Sequence, residues 1–89
     1  MKNKIKRIHF IGIGGSGMSG IAEVMQTLGF IVSGSDLAIS DTIKSLKKLG
    51  IKVYSEHSKA NIKKVDTIVF SNAISRNNPE LIEAKKNKI

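Results

Sequence analysis

Three glycines near the amino terminus, Gly12, Gly14 and Gly17, form a G-x-G-x-x-G pattern. The first glycine of such a pattern permits a tight turn, and the second lets a phosphate group approach the backbone. The third allows a helix to pack closely on the preceding strand. The start of that helix offers free N–H groups and the positive end of its dipole to an anion. The spacing therefore predicts a binding site for a pyrophosphate group.

A carboxylate, Asp36, follows Gly17 by 19 residues, at the expected end of the second strand, where it could reach a ribose or a base. The pattern alone leaves the ligand open. A dinucleotide such as NAD and a nucleoside diphosphate sugar both place a pyrophosphate at the helix start and a nucleoside near the acid. A glycine turn that only allows close packing is the third interpretation.

Ser71 and Asn72 directly follow the expected fourth strand, so they would lie at the carboxyl edge of a parallel sheet, where ligands bind. A plain polar loop is the alternative. We expect His9 to be structural and His57 to be exposed, since neither has a His, Asp or Glu at metal-ligand spacing. The sequence has no cysteine, Ser-His-Asp set, carboxylate pair or P-loop. It therefore predicts no catalytic residue and no metal site in these 89 residues.

The elements that would position these residues alternate between strands and helices. Apolar runs predict strands at residues 5–13, 30–35, 51–54 and 66–71. Helices are predicted from Met18 to Leu28, over 41–49 behind a cap at Ser40 or Asp41, and from Asn78-Pro79-Glu80 onward. Residues 55–64 are polar, with at most one helical turn. This alternation predicts an α/β fold with helices on both faces of a parallel sheet.

Composition limits the classes of protein to which the chain could belong. It has 89 residues, with 15 Lys and Arg against 7 Asp and Glu and a formal net charge of +8. One domain is the ceiling at this length, and 40% apolar residues suffice for a globular core. No aromatic residues are interleaved with the basic ones to stack nucleic acid bases. No apolar run approaches the roughly 20 residues that cross a bilayer. We therefore predict a cytoplasmic domain that binds neither nucleic acid nor membrane.

Three segments of the sequence resemble the Mur ligases, the ATP-dependent ligases of peptidoglycan synthesis. They are residues 8–23 (IHFIGIGGSGMSGIAE), residues 33–37 (SGSDL), and residues 71–75 (SNAIS) followed by Asn78-Pro79-Glu80. The resemblance extends over about residues 5–89. It implies a Rossmann-like, three-layer α/β/α domain that binds UDP-N-acetylmuramate rather than NAD. The whole enzyme would join the lactyl carboxylate of that sugar nucleotide to L-alanine.

The resemblance also implies a role for each site residue. The pyrophosphate would be met by the glycine loop, at Gly14, Gly15, Ser16, Gly17 and Met18. The uridine would lie beside Asp36, with Ser35 and Leu37 next to it. The phosphates and the sugar would lie near Ser71 and Asn72. We expect Gly14→Val to abolish nucleotide binding with a modest loss of folding, and Asp36→Ala to weaken uridine recognition more than pyrophosphate binding.

The family resemblance further implies that residues 1–89 are an N-terminal fragment, truncated before a fifth strand. The central ATP-binding domain and the C-terminal domain would lie outside it. ATP and magnesium would serve the full-length enzyme through an acyl phosphate, so this fragment would bind substrate and catalyse nothing. Two alternatives remain: the related ligase that attaches a recycled tripeptide to the same sugar nucleotide, and an NAD-binding regulatory or dehydrogenase domain.

Overall fold

A computed structural model describes residues 5–89 as alternating strands and helices. The strands are β1 (Arg7–Ile11), β2 (Ile31–Ser35), β3 (Lys52–Tyr54) and β4 (Thr67–Phe70). The helices are α1 (Met18–Thr27), α2 (Asp41–Lys48) and α3 (Pro79–Lys86), with a 3₁₀ helix at Lys59–Ile62. In these residues no helix is long and apolar enough to span a membrane.

The four strands form one parallel sheet in the order β3-β2-β1-β4. Ile8 of β1 stands beside Val32 of β2 on one side and Thr67 of β4 on the other. The chain therefore builds outward from β1 through β2 to β3 and then returns to place β4 at the opposite side of β1. In parallel sheets such a reversal opens a crevice at the carboxyl ends of the two strands where it occurs, here β1 and β4. The predicted α/β fold with a parallel sheet is confirmed.

Alternate residues of β1 face two different layers, as the two-residue period of a strand requires. On one face, Ile8 and Phe10 belong to the main apolar core, which α1 and α2 complete through Met18, Ala22, Ile43 and Leu46. On the other face, His9 bonds to Glu80 of α3, and α3 contacts the 3₁₀ helix. The sheet thus lies between two helical layers, in the predicted α/β/α arrangement.

The three α-helices begin differently, and the difference bears on the site. The Ser40 hydroxyl accepts a hydrogen bond from the Ile43 N–H at the start of α2, and Asn78 caps α3 in the same way through the N–H of Glu80. Both helices also carry an acid in the first turn. By contrast, α1 begins behind Gly17 with no side-chain cap and no acid in its first turn. No side chain of the protein therefore competes with an outside anion for the N–H groups at this helix start.

The predicted strands were too long at their ends. β1 covers residues 7–11 rather than 5–13. Its carboxyl end comes early because Gly12 has φ of 77°, and the N–H groups of Gly12 and Ile13 share one acceptor, the Ser35 carbonyl, at 2.8 and 3.1 Å. The polar segment 55–64 contains the single helical turn expected of it, at Lys59–Ile62.

Candidate functional site

The glycine loop, residues 12–17, is closed by its own backbone at the carboxyl end of β1. The Gly15 N–H donates to the Gly12 carbonyl at 2.9 Å, and the Met18 N–H donates to the Gly15 carbonyl at 3.0 Å. Gly17 has φ of 79°, a left-handed conformation that most side chains disfavour. The loop is therefore a compact turn that leads directly into α1.

Two N–H groups of this loop point to no acceptor. Within residues 5–89, nothing accepts a hydrogen bond from the N–H of Ser16 or Gly17, and both residues are exposed. They directly precede the uncapped start of α1. Free N–H groups at the positive end of a helix dipole suit a phosphate. This end of the loop can therefore bind an anion.

The Asp36 carboxylate joins the glycine loop to the loop that follows β2. Its Oδ2 accepts the Gly14 N–H at 2.9 Å, and its Oδ1 accepts the Ala38 N–H at 2.8 Å. Asp36 is half-buried, and each carboxylate oxygen keeps further acceptor capacity. The sequence placed Asp36 near the glycine loop but did not reveal this direct bond to it.

The protein itself fills the space at Gly14. A Cβ atom there would lie 2.8 Å from Ile43 Cδ1 and 3.1 Å from Asp36 Oδ2. The modest loss of folding expected for Gly14→Val stays a prediction, in which the added side chain has to displace the ends of the Ile43 and Asp36 side chains. Gly17 differs, since nothing lies within 4 Å of a Cβ built there.

The loop between β4 and α3 forms the other wall of the crevice. It contacts the glycine loop where a Cβ at Gly12 would lie 2.9 Å from Ile74 Cδ1. At its start, the Ser71 hydroxyl accepts the Ala73 N–H, and Asn72 is exposed. The topology thus brings Ser71 and Asn72 to the same sheet edge as Gly14–Gly17 and Asp36.

Three of the predicted site residues, Met18, Ser35 and Leu37, differ in the exposure of their side chains. The side chain of Met18 is buried in the main core, and that of Ser35 is wholly buried beneath the loop. Leu37 is 68% exposed beside Asp36. Met18 and Ser35 therefore hold the loop from inside, whereas Leu37 offers an apolar surface to solvent.

A buried polar cluster lies under this edge of the sheet. We call it the Glu80 network, and its members are His9, Ser35, His57, Ser58, Asn61 and Glu80. Glu80 Oε1 accepts hydrogen bonds from His9 Nε2 and from the Ser35 hydroxyl, at 2.8 and 2.7 Å. Glu80 Oε2 accepts the Ser58 N–H at 3.0 Å and Asn61 Nδ2 at 2.7 Å. The network thereby connects β1, β2, the 3₁₀ helix and α3.

The protonation of Glu80 reflects these four donors. Burial by itself raises the pKa of this carboxyl, but the hydrogen bonds from His9, Ser35, Asn61 and Ser58 outweigh burial and lower the pKa from 4.5 to about 2. Glu80 is therefore a carboxylate at neutral pH although its side chain is fully buried.

Sequence reasoning missed the Glu80 network. It treated Glu80 only as an acid in the first turn of a helix, and the partner His9 lies 71 residues away. His9 is structural, as predicted. His57 is half-buried rather than exposed, because its Nδ1 bonds to the Ser35 hydroxyl at 2.7 Å.

A cavity of about 370 Å³ lies away from the glycine loop. It is bounded by the first residues of three strands, Arg7, Ile31 and Lys52, and by Lys63 and Lys64. A smaller cavity of about 160 Å³ adjoins Asp36 and Ile43. In residues 5–89, no three His, Asp or Glu side chains are grouped so as to hold a metal ion.

Comparison with known proteins gives consistent matches. Residues 7–89 match the family described as "Mur ligase family, catalytic domain". The chain is 53% identical, over all 89 residues, to a UDP-N-acetylmuramate–L-alanine ligase of Polaromonas sp. (strain JS666 / ATCC BAA-500), of which it covers 19%. The chain thus spans about a fifth of the length of the curated relatives it matches.

Solved structures give the same result. The crystal structure of UDP-N-acetylmuramate-alanine ligase MurC from Thermotoga maritima has a TM-score of 0.88 and 35% identity, covering 93% of this chain and 19% of that one. The UDP-N-acetylmuramate:L-alanyl-gamma-D-glutamyl-meso-diaminopimelate ligase from Neisseria meningitides has a TM-score of 0.80 and 37% identity, covering 94% of this chain and 26% of that one.

Proposed function

The chain belongs to the Mur ligase family, and from that premise we propose that it is the N-terminal, UDP-N-acetylmuramate-binding domain of a UDP-N-acetylmuramate–L-alanine ligase. The observation that carries the proposal is the 53% identity with such a ligase along all 89 residues. The geometry of the glycine loop and of the crevice beside it supports the same reading.

The pyrophosphate would bind at the start of α1. The free N–H groups of Ser16 and Gly17 would donate to its oxygens, and the helix dipole would favour its negative charge. Gly14 and Gly15 would shape the turn, because a Cβ at Gly14 would meet Ile43 and Asp36 and one at Gly15 would meet the Gly12 carbonyl. Gly17 would let the phosphates come close, because the space at its Cβ position is open. Met18 would contribute only by holding the loop, since its side chain is in the core and its N–H donates to the Gly15 carbonyl.

The nucleoside and the sugar would lie on either side of the pyrophosphate. The remaining acceptor capacity of the Asp36 carboxylate suits a ribose hydroxyl or the N–H of uracil, and exposed Leu37 offers the base an apolar contact. Ser71 and Asn72, across the crevice, would meet the phosphates and the sugar. Ser35 would act from below, by holding the loop.

The amide-forming chemistry would require more than this domain. ATP and magnesium would convert the lactyl carboxylate to an acyl phosphate, which L-alanine would then attack. The 89 residues contain no P-loop to bind ATP, so we propose that ATP, magnesium and L-alanine bind to other domains of a longer protein in the cytoplasm. The role of this domain is to hold the sugar nucleotide.

Two alternatives differ in what they would bind. A murein peptide ligase would use the same sugar nucleotide. Two such solved structures have TM-scores of 0.80, below the 0.88 of the L-alanine ligase structure, and neither approaches the 53% identity of the L-alanine ligase matched by sequence. An NAD-binding domain would use the same glycine loop for a dinucleotide. A Gly-Thr-x-Gly-Lys-Thr/Ser loop encoded about 20–40 residues beyond Ile89 would favour either ligase over an NAD domain.

The proposal is tested by titrating the 89-residue chain with UDP-N-acetylmuramate, and separately with NAD, while amide chemical shifts are followed. We expect shifts at Gly14–Met18 and around Asp36 with the sugar nucleotide alone. Shifts with NAD alone, or none with either ligand in a folded sample, would contradict the proposal. In the whole enzyme, ADP release that depends on L-alanine rather than on the tripeptide would separate the two ligases.

A further inference from the structure

We infer that Glu80 is a positioning residue for the nucleotide site, and that it sets the glycine loop through Ser35. The inference rests on the proposed function for its ligand, UDP-N-acetylmuramate. It goes further by assigning a role in binding to a buried carboxylate that touches no ligand. Neither the glycine pattern nor the family resemblance marked Glu80 for this role.

A single residue connects Glu80 to the loop. The hydroxyl of Ser35 donates to Glu80 Oε1 at 2.7 Å. The carbonyl of the same residue accepts the N–H groups of Gly12 and Ile13, the first two residues after β1. Ser35 also directly precedes Asp36, whose carboxylate accepts the Gly14 N–H. Three N–H groups of the loop therefore depend on the placement of Ser35 and its neighbour.

The proton arrangement fixes Ser35 in one orientation. A hydroxyl has one hydrogen, and that of Ser35 points to Glu80. The hydroxyl oxygen consequently accepts from His57 Nδ1, which carries the proton at that contact. Glu80 is in turn held by His9, Ser58 and Asn61. Because all these groups are at least half-buried, water cannot readily replace a lost partner.

The Glu80 network therefore fixes the position of the glycine loop as well as stabilising the fold. If it only stabilised the fold, its loss would weaken every part of the molecule alike. If it positions the glycine loop, its loss changes the loop more than it changes the central strand. Local opening and global unfolding can be separated by hydrogen exchange at individual amides.

Two variants probe the link. Ser35→Ala removes the hydroxyl that donates to Glu80 but leaves the backbone carbonyl that accepts the N–H groups of Gly12 and Ile13. Glu80→Gln keeps the side-chain shape. Its amide can donate to Ser35 if the Ser35 hydroxyl turns to His57, so we expect it to retain part of the function that Glu80→Ala loses.

Two further variants are matched controls. Asp66→Asn alters a carboxylate that accepts the N–H groups of Lys6 and Arg7, both at 2.8 Å, at the opposite end of β1. Glu83→Gln alters an acid on the same helix as Glu80. The Glu83 carboxylate accepts a hydrogen bond from Asn87 Nδ2 at 3.1 Å. Neither control touches Ser35 or the glycine loop.

The experiment measures amide exchange and UDP-N-acetylmuramate affinity in the 89-residue chain. We expect Ser35→Ala to bind the sugar nucleotide about fivefold to tenfold more weakly, the equivalent of one lost hydrogen bond. Exchange at the Gly12 and Ile13 N–H groups should accelerate more than exchange at Phe10 in the central strand. Glu80→Gln should lie between Ser35→Ala and the unaltered chain, and both controls should bind normally.

Failure of the inference and failure of the proposed function give different results. If the unaltered chain binds UDP-N-acetylmuramate and Ser35→Ala binds it equally well, the inference is overturned and the proposed function stands. If the unaltered chain does not bind it, the proposed function fails. Amide exchange in Ser35→Ala then tests the positioning role without a ligand. Faster exchange at Gly12 and Ile13 than at Phe10 supports the role, and equal acceleration at all three overturns it.

Discussion

The carboxylate of Asp36 accepts the backbone N–H of Gly14 at 2.9 Å, so the acid that ends β2 is bonded directly to the loop that ends β1. The proposed nucleoside side and the proposed pyrophosphate side of the crevice are consequently joined by a hydrogen bond. A change at Asp36 should therefore affect both.

We predict that Asp36→Asn weakens binding of UMP and of inorganic pyrophosphate together. Both carboxylate oxygens accept N–H groups, from Gly14 and Ala38, and the asparagine NH₂ group would face one of these donors. The lost bond should cost about 1–3 kcal/mol of folding free energy. Urea unfolding and two separate ligand titrations measure these effects.

Asp41→Asn is the matched control, because it removes the same charge from an exposed position in the first turn of α2. It should cost less than about 1 kcal/mol, the usual strength of an acid's interaction with a helix dipole. If Asp36→Asn weakened UMP binding alone, the Gly14 bond would have no role in pyrophosphate binding, and the expectation drawn from the sequence would stand.

Gly14 and Ile43 should be energetically coupled. A methyl group at position 14 would lie 2.8 Å from Ile43 Cδ1, so we predict that Gly14→Ala destabilises the fold by about 1–3 kcal/mol. Ile43→Val removes that δ-carbon and should lower the cost by at least about 0.5 kcal/mol in the double variant. Chemical unfolding of the four proteins in the cycle measures the coupling.

The control for this cycle is Ile62→Val, a buried substitution in the 3₁₀ helix on the other face of the sheet. It should show no coupling to Gly14→Ala. Equal coupling of both valine variants, or none for Ile43→Val, would mean that Gly14 is not confined by Ile43.

Local signals account for the parts of the fold that the sequence predicted. Each helix start and strand was marked by nearby residues, such as Ser40 and Asn78 at the helix caps. Strand ends were harder to predict, because they depend on distant groups. Ile13 has the side chain of a strand residue, but its N–H donates to the Ser35 carbonyl that also accepts the Gly12 N–H, so Ile13 lies outside β1.

The candidate site was predictable where a motif covers it and unpredictable where contacts are long-range. Gly14, Gly17 and Asp36 follow a known spacing, so their proximity could be foreseen. The His9–Glu80 bond spans 71 residues and belongs to no motif. The only signal for it was a histidine in a strand expected to be buried, which required a polar partner from somewhere in the chain.

Glu80 should make the fold sensitive to acid. Its pKa is about 2 when folded and 4.5 as the ordinary value, so the folded state favours the carboxylate. This contribution is present above about pH 4.5 and is lost as pH falls toward 2. We predict that the loss of this contribution lowers the free energy of unfolding by about 2 kcal/mol between pH 6 and pH 3.

Urea unfolding across this pH range measures the effect, with Glu80→Gln as the comparison. The variant should be less stable at pH 6 and should lose less stability toward pH 3. Asp66 has a lowered pKa as well, because it accepts the N–H groups of Arg7 and Lys6, so some acid dependence should persist in Glu80→Gln. An acid dependence identical to that of the unaltered chain would rule out the contribution of Glu80.

Gly20 and Gly17 should respond in opposite directions to alanine. Nothing lies within 4 Å of a Cβ at either position, so neither substitution creates a collision. Gly20 is inside α1, where alanine is favoured over glycine by about 0.5–1 kcal/mol, and Gly20→Ala should stabilise the fold by that amount.

Gly17 has φ of 79°, so Gly17→Ala should destabilise the fold by about 1–2 kcal/mol. Gly17→Asn should destabilise it less, because asparagine tolerates this conformation. Thermal unfolding measures all three, and a destabilised Gly20→Ala would show that the α1 start needs glycine for a reason other than space.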